Sequence, residues 1–382
     1  MTDPGPGSTG PGPTDPGAAA DARAPGVVTL LPLTGIPEVH EGDDLADVVG
    51  LGLTHAGVRL RDGDVLVVSS KIASKSLGLV TDDTDKDRVV REQSRRVVAE
   101  RAVGDRVTRV VEATAGPVMA AAGVDGSNTG DRGGWLLLPH DPDEVCARLC
   151  ASLRARHGVA VGVVLSDTAG RPWRVGQVDF ALGAHGLHVL DDLRGATDAD
   201  GRPLEVTSRA VADEVAAAAD LVKGKVAAVP AAVVRGLRGV VLPDAATDAA
   251  TDAAGGRTAG GRDLVRTGPG DWFALGRVEA VRAALGVQPG SPESAAVGIA
   301  PVAPDTRIGA VSRAVRLAVH DREGATADVG PDTVTLGADT AYDLGALVTR
   351  LQAALWCERL VGDPATPAAD GLSVVVGVTE QA

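Results

Sequence analysis

Two short, largely apolar runs constrain this chain more than any other feature. Val65 to Ser69 and Val159 to Leu165 are rich in β-branched residues and too short for an average helix, a pattern that predicts buried strands. Asp62-Gly63-Asp64 supplies the turn into the first run, and Ser70-Lys71-Ile72-Ala73-Ser74-Lys75 follows it as a polar, basic loop of the kind that often carries ligands. The second run is preceded by a helix that Asp141 caps, with Pro142 at its first position, reaching Gly158.

Further elements alternate irregularly. Val27 to Pro32 predicts a strand, and Asp43-Asp44 caps a helix over Leu45 to Val49. Lys86 to Arg101 predicts a charged amphipathic helix, and Ser208 to Val222 an Ala-rich helix that Lys223-Gly224-Lys225 ends. Val226 to Val234 predicts a strand, and Asp271 to Leu285 a helix. Gln288 to Glu293 is Pro/Gly/Ser-rich and marks a boundary. Beyond it, Thr306 to Val319 and Ala341 to Leu360 predict helices, with strands near Thr333 to Leu336 and Ser373 to Val378. The fold class expected from this order is α+β.

Composition narrows the reading. The 382 residues suffice for two or three domains. Apolar residues make up 44% but aromatics only 2%, so the core must be built from Ala, Val and Leu. The formal net charge of -14 argues against a general nucleic-acid or membrane-surface binder, and a phosphate ligand would need local cations. Cys146, Cys150 and Cys357 form no zinc pattern and are expected as free or buried thiols. No apolar stretch approaches the roughly 20 residues of a membrane span, and no signal-peptide order opens the chain, so a cytoplasmic protein is expected.

Residues 1 to 25 have the composition of a disordered tail, and 243 to 262 are a low-complexity surface insertion. Gly5-Pro6-Gly7-Ser8-Thr9-Gly10 satisfies the dinucleotide fingerprint in letters only, because no strand precedes it and no helix follows.

The chemistry concentrates in two segments. Gly123-Val124-Asp125-Gly126-Ser127-Asn128 places a carboxylate and a carboxamide in a Gly-containing loop, a pattern that also suits an ordinary turn. Ser166-Asp167-Thr168 stands at the end of the second buried run, ahead of Gly170-Arg171-Pro172-Trp173-Arg174. Asp125, Asp167 and Thr168 offer the hard oxygens that magnesium or manganese takes. Lys75, Arg171, Arg174, Lys223 and Lys225 are the candidate local cations, and no Walker A motif is present. Trp173 and Trp135 can stack on a ring or serve as anchors, and neither is assigned.

These segments, in order with Leu31-Pro32, Gly35-Ile36-Pro37-Glu38, Gly42-Asp43-Asp44-Leu45 and Ala218 to Lys225, resemble the coenzyme F420-0:L-glutamate ligase family. Its members use GTP to attach γ-linked glutamates to a deazaflavin cofactor, and the likeness spans roughly residues 27 to 285. The resemblance implies GTP contacts at Ile36, Pro37, Glu38, Val39, Ser70, Lys75 and Asn128. It extends them to Ala218, Ala219, Asp220, Leu221, Val222, Lys223, Gly224 and Lys225. It implies two divalent ions, magnesium or manganese, on Asp125, Asp167 and Thr168, with potassium as a further ion. Lys75, Arg171 and Arg174 would carry the chemistry, through an acyl phosphate that the glutamate amine attacks.

The implied fold is the family's own α+β arrangement over 26 to 287, as a homodimer, with 294 to 382 a small α/β appendage of unidentified role. That appendage has no flavin-binding pattern, so FMN is not expected. The implied partners are GTP, L-glutamate and coenzyme F420-0, with neither nucleic acid nor membrane. The chain departs from the family at Leu77, where Glu is usual, and at Ala169, where a bulkier residue is usual. Two alternatives stay open: a ligase of the same mechanism acting on another carboxylated phosphodiester, and a non-catalytic GTP-binding scaffold.

Overall fold

The computed structural model describes residues 26–129, 133–224, 226–243, 259–303, 305–363 and 366–381. The expected tail at 1–25, residues 244–258 of the expected insertion, and Lys225 lie outside the described residues. The chain divides into two units. One takes the residues up to Gly78, Asp141–Thr168 and Val178–Leu264, and the other Leu79–His140, Ala169–Gln177 and Val265–Ala382.

The first unit is built on a five-stranded sheet. Its strands are β1 (Thr29–Pro32), β2 (Val65–Ser69), β3 (Gly162–Arg171), β4 (Arg174–His185) and β5 (Ala231–Arg235), in the order β1-β5-β2-β3-β4. The two apolar runs form its centre: β2 and β3 lie parallel, with Ser69 opposite Ser166. Val65, Leu66, Val67 and Val68 are fully buried, as expected of a strand covered on both faces. β5 runs antiparallel to β2, so Ala231 lies opposite Val68 and Val234 opposite Val65.

Helices α1 (Leu45–His55), α2 (Ser70–Ser76), α3 (Pro142–His157) and α4 (Val211–Asp220) accompany this sheet in sequence. Asp44 caps α1 by accepting from Ala46 N at 2.7 Å and Asp47 N at 3.0 Å. Asp141 caps α3, and Gly158 ends it in the left-handed conformation at φ 67°. The core that α4 shares with the sheet includes Val65, Val164, Ala181, Val215, Ala219 and Val234, all small or β-branched as the composition requires. Close packing follows from small side chains. A Cβ at Gly183 would stand 2.5 Å from the carbonyl carbon and oxygen of Pro142.

The second unit carries a three-stranded sheet of Ser94–Val103, Arg106–Ala113 and Val118–Ala120. It also carries an antiparallel sheet led by Thr326–Val329, Thr333–Gly337 and Ser373–Glu380, with which the helices Arg307–Val319 and Ala341–Cys357 share a core that includes Leu317, Leu336, Leu351 and Val376. Within this unit Glu100 and Arg109, both buried, pair at 3.3 Å, and Glu100 also accepts from Gly290 N at 3.1 Å and from the Ser294 hydroxyl.

Several sequence expectations are corrected. The expected helix over Lys86 to Arg101 is a helix only to Glu92; from Ser94 the chain is a strand, because Val97, Val98 and the facing Val107, Val110 and Val111 favour a paired hairpin. The expected loop after Ser69 is the short helix α2, whose Ile72 and Ala73 are buried. The strand expected to end at Leu165 runs on to Arg171, so Ser166, Asp167 and Thr168 lie within it. Helix α4 starts at Val211 rather than Ser208, β5 starts at Ala231 rather than Val226, and the helix expected from Asp271 starts at Arg277 behind Gly276. All three cysteines are free and buried. No helix among the described residues is long and apolar enough to cross a membrane.

Candidate active site

Parallel pairing of β2 and β3 delivers Ser69-Ser70 and Ser166-Asp167-Thr168 to the same end of the sheet. There, Asp179 of β4 and Lys223, just beyond α4, form a buried ion pair at 2.6 Å, each side chain 5% exposed. The Lys223 ammonium also donates to Ser166 Oγ at 2.6 Å. Ser166 Oγ donates to Asp179 Oδ2 at 2.9 Å, and Thr168 Oγ1 donates to Asp179 Oδ1 at 2.7 Å. Two charges removed from water need their remaining lone pairs and protons met, and these four groups meet them together except for one Lys223 proton. Asp179 was not among the expected site residues. Its signal was legible in principle, because Asp179 and Ala181 share the buried face of β4 and an inward carboxylate demands a partner.

Successive side chains of a strand face opposite sides. Ser166 and Thr168 therefore share Asp179, while Asp167 turns to the other side, toward Ser70 and Lys71. Burial is the main reason the Asp167 carboxyl is pushed up to about 6, and the nearby Asp179 charge adds to the rise. Hydrogen bonds from Thr168 N and the Ser70 hydroxyl, and the Lys71 charge, offset only part of it. A carboxylate so placed fits a divalent cation, whose charge would supply the compensation the protein leaves incomplete. The Thr168 hydroxyl lies on the opposite face of β3 from Asp167, its proton committed to Asp179. Among the described residues no three His, Cys, Asp or Glu side chains converge as a metal cage. Magnesium-like ions are commonly held by one or two carboxylates, with phosphate and water completing the shell.

The other expected residues fall into distinct places. Lys75, in the last turn of α2, pairs with Glu38, so these two are brought together; the Lys75 side chain is only 11% exposed. Ile36 packs against Gly52, Pro37 is exposed, and Val39 is buried. Ser70 is buried at the start of α2. Ala219 belongs to the core, Val222 packs against it, and Leu221 is exposed. Gly224 bridges to Val229, and Asp220 ends α4. Ala218 lines a separate cavity of about 440 Å³. That cavity shares Val234 and Gly236 and so lies at the opposite end of the sheet from Lys223.

In the second unit, Asp125 accepts from Ser127 N at 2.8 Å and Ser127 Oγ at 3.1 Å, a turn closed on itself. Asn128 follows with φ 59°. Trp135 anchors this loop, since a Cβ at Gly126 would meet its ring at 2.8 Å, and its Nε1 donates to Asp83 O at 2.8 Å. Arg171 and Arg174 are exposed at the β3–β4 turn. Leu77, the residue after α2, is exposed in the first unit.

Residues 35–236, which hold all of these groups, match the family described as F420-0:Gamma-glutamyl ligase. The chain belongs to this family. A coenzyme F420:L-glutamate ligase of Archaeoglobus fulgidus is 37% identical over 225 residues, covering 55% of this chain and 88% of the relative. One from Halobacterium salinarum is 42% identical over 212 residues, 50% of this chain and 79% of the relative. One from Methanothermobacter thermautotrophicus is 37% identical over 228 residues, 55% and 89% of the two chains. The C-terminal residues beyond 236 lie outside the family match.

Proposed function

We propose that this chain is a GTP- and divalent-metal-dependent ligase that adds γ-linked L-glutamate to coenzyme F420-0. The family match over 35–236 carries this reading, because the Asp167, Thr168 and Lys223 segments all fall within it. GTP transfers its terminal phosphoryl group to the free carboxylate of the acceptor, releasing GDP. The glutamate amine then attacks the acyl carbon and phosphate leaves with the C–O bond electrons.

Asp167 would hold magnesium or manganese, which would neutralise charge on the transferred phosphoryl group. The protein's own cations act alongside. A lysine ammonium has three donors, and Lys223 commits two of them to Ser166 and Asp179, leaving one for a phosphate oxygen. Lys75 exchanges Glu38 for phosphate as nucleotide binds. Arg171 and Arg174 take the acceptor's phosphodiester or carboxylate, for which the planar guanidinium is shaped.

Mass spectrometry of F420-0 incubated with the protein, GTP, L-glutamate and Mn²⁺ tests the proposal, with Asp167→Asn as the control. Stepwise glutamate-sized gains that vanish in the control are expected. GTP binding without any gain in mass would sink the ligase reading in favour of a scaffold.

A further inference from the structure

The β3–β4 strands turn through Pro172 and Trp173, and Trp173 sits at φ 59°. That is the left-handed region, where a turn of this form takes Gly or Asn and a bulky side chain is an outlier. The strained residue is also exposed: Trp173 shows 84% of its surface to solvent in a chain with only four tryptophans. Neither local conformation nor core packing accounts for a tryptophan here. Strain of this kind points toward a ligand-binding role.

A second aromatic meets it from a distant part of the sequence. The Phe273 ring stands edge-on to Trp173 with centroids 5.2 Å apart, and Phe273 is itself 59% exposed. The segment carrying Phe273 is held in place. Asp271 accepts from Phe273 N at 2.8 Å, Arg96 donates to Ala274 O, and Gly276 N donates to Val98 O at 2.9 Å. The exposed Trp173 ring, braced by Phe273 at an interplanar angle of 69°, is thus a preorganised open wall, and Arg171 and Arg174, next to it in the chain, are exposed. A planar conjugated ring stacks on such a wall while anionic substituents meet the arginines.

We infer that Trp173 and Phe273 form the stacking platform for the planar, anionic ring system of the acceptor substrate. The inference rests on the ligase reading for the identity of that acceptor. Phe273 lies outside the matched residues 35–236, so half of the platform comes from the part of the chain that the family match does not reach.

Trp173→Gly is the informative variant, because glycine adopts the positive φ without strain and the turn should fold at least as well. Phe273→Leu removes the second ring and keeps an apolar side chain. Stacking on one aromatic is worth about tenfold or more in affinity, so KM for F420-0 should rise about tenfold in Trp173→Gly while KM for GTP stays unchanged. Addition of F420-0 should quench tryptophan fluorescence in the natural protein and much less in the variant.

An unchanged KM for F420-0 in both variants overturns the platform. A loss of subunit association in Trp173→Gly, with KM for F420-0 untouched, also overturns it and marks the patch as a contact between copies. If the natural protein adds no glutamate but is quenched by F420-0 in a Trp173-dependent way, the platform stands and the ligase reading falls.

Discussion

Replacing Asp167 with Asn is expected to stabilise the ligand-free protein at neutral pH while removing activity. The carboxyl is raised from the usual 3.8 to about 6. At 1.36 kcal/mol per pKa unit this difference amounts to about 3 kcal/mol of destabilisation once the group is charged. The folded protein holds this proton more tightly than the unfolded chain, so its contribution favours folding below about pH 4 and is lost as pH rises through about 6. Asn has no charge to lose and can still accept the Ser70 hydrogen bond. The stability gap between variant and natural protein should therefore widen by about 2 kcal/mol between pH 4.5 and 7.5 and then stay flat. For a domain of this size about 2–4 °C accompanies each kcal/mol, so roughly 6–12 °C of added melting midpoint is expected at pH 7.5. Urea unfolding at the two pH values measures the gap directly. A gap that does not change with pH, or a variant less stable than the natural protein at pH 7.5, refutes the reasoning. Mn²⁺ with GTP should raise the midpoint of the natural protein and leave Asp167→Asn unmoved.

Removing either partner of the Asp179–Lys223 pair leaves a buried charge unmatched, so Asp179→Leu and Lys223→Met should each destabilise by about 3–5 kcal/mol. The double variant should lose less than the sum, and strictly additive losses in chemical denaturation would show that the pair is not coupled. Gly183→Ala forces a Cβ against the Pro142 backbone at 2.5 Å and should cost about 1–3 kcal/mol. Gly50→Ala, where a Cβ meets nothing within 4 Å, should be neutral or mildly stabilising, and equal effects of the two in thermal melts would remove the packing argument.

The central strands, the caps of α1 and α3, and the C-terminal helices were legible because each is a local pattern. Val65 to Val68 is apolar at every position, Asp44 and Asp141 precede their helices, and Thr306 and Thr340 cap theirs. Lys86 to Arg101 was misleading because its charges recur at helical spacing, whereas the pairing of Val97 and Val111 depends on a strand that comes later in the chain. At the candidate site, Ser166, Asp167, Thr168 and Lys223 stood out in the sequence as types and motifs. Their arrangement was not, since the hydrogen bonds that bind Thr168 and Lys223 both end on Asp179, an ordinary-looking residue in sequence.

The sequence by itself determined the Ala/Val/Leu core, the buried central strands and the family. These follow from local composition and from short ordered motifs, which need no knowledge of distant neighbours. Only the tertiary structure decided that Asp179 locks Lys223 and Thr168 together, that Asp167 turns away from them, and that Trp173 stands exposed against Phe273. Each depends on strand pairing, on the alternation of side chains across a sheet, or on contact between residues far apart in the chain, and burial then decides which charges must find a partner.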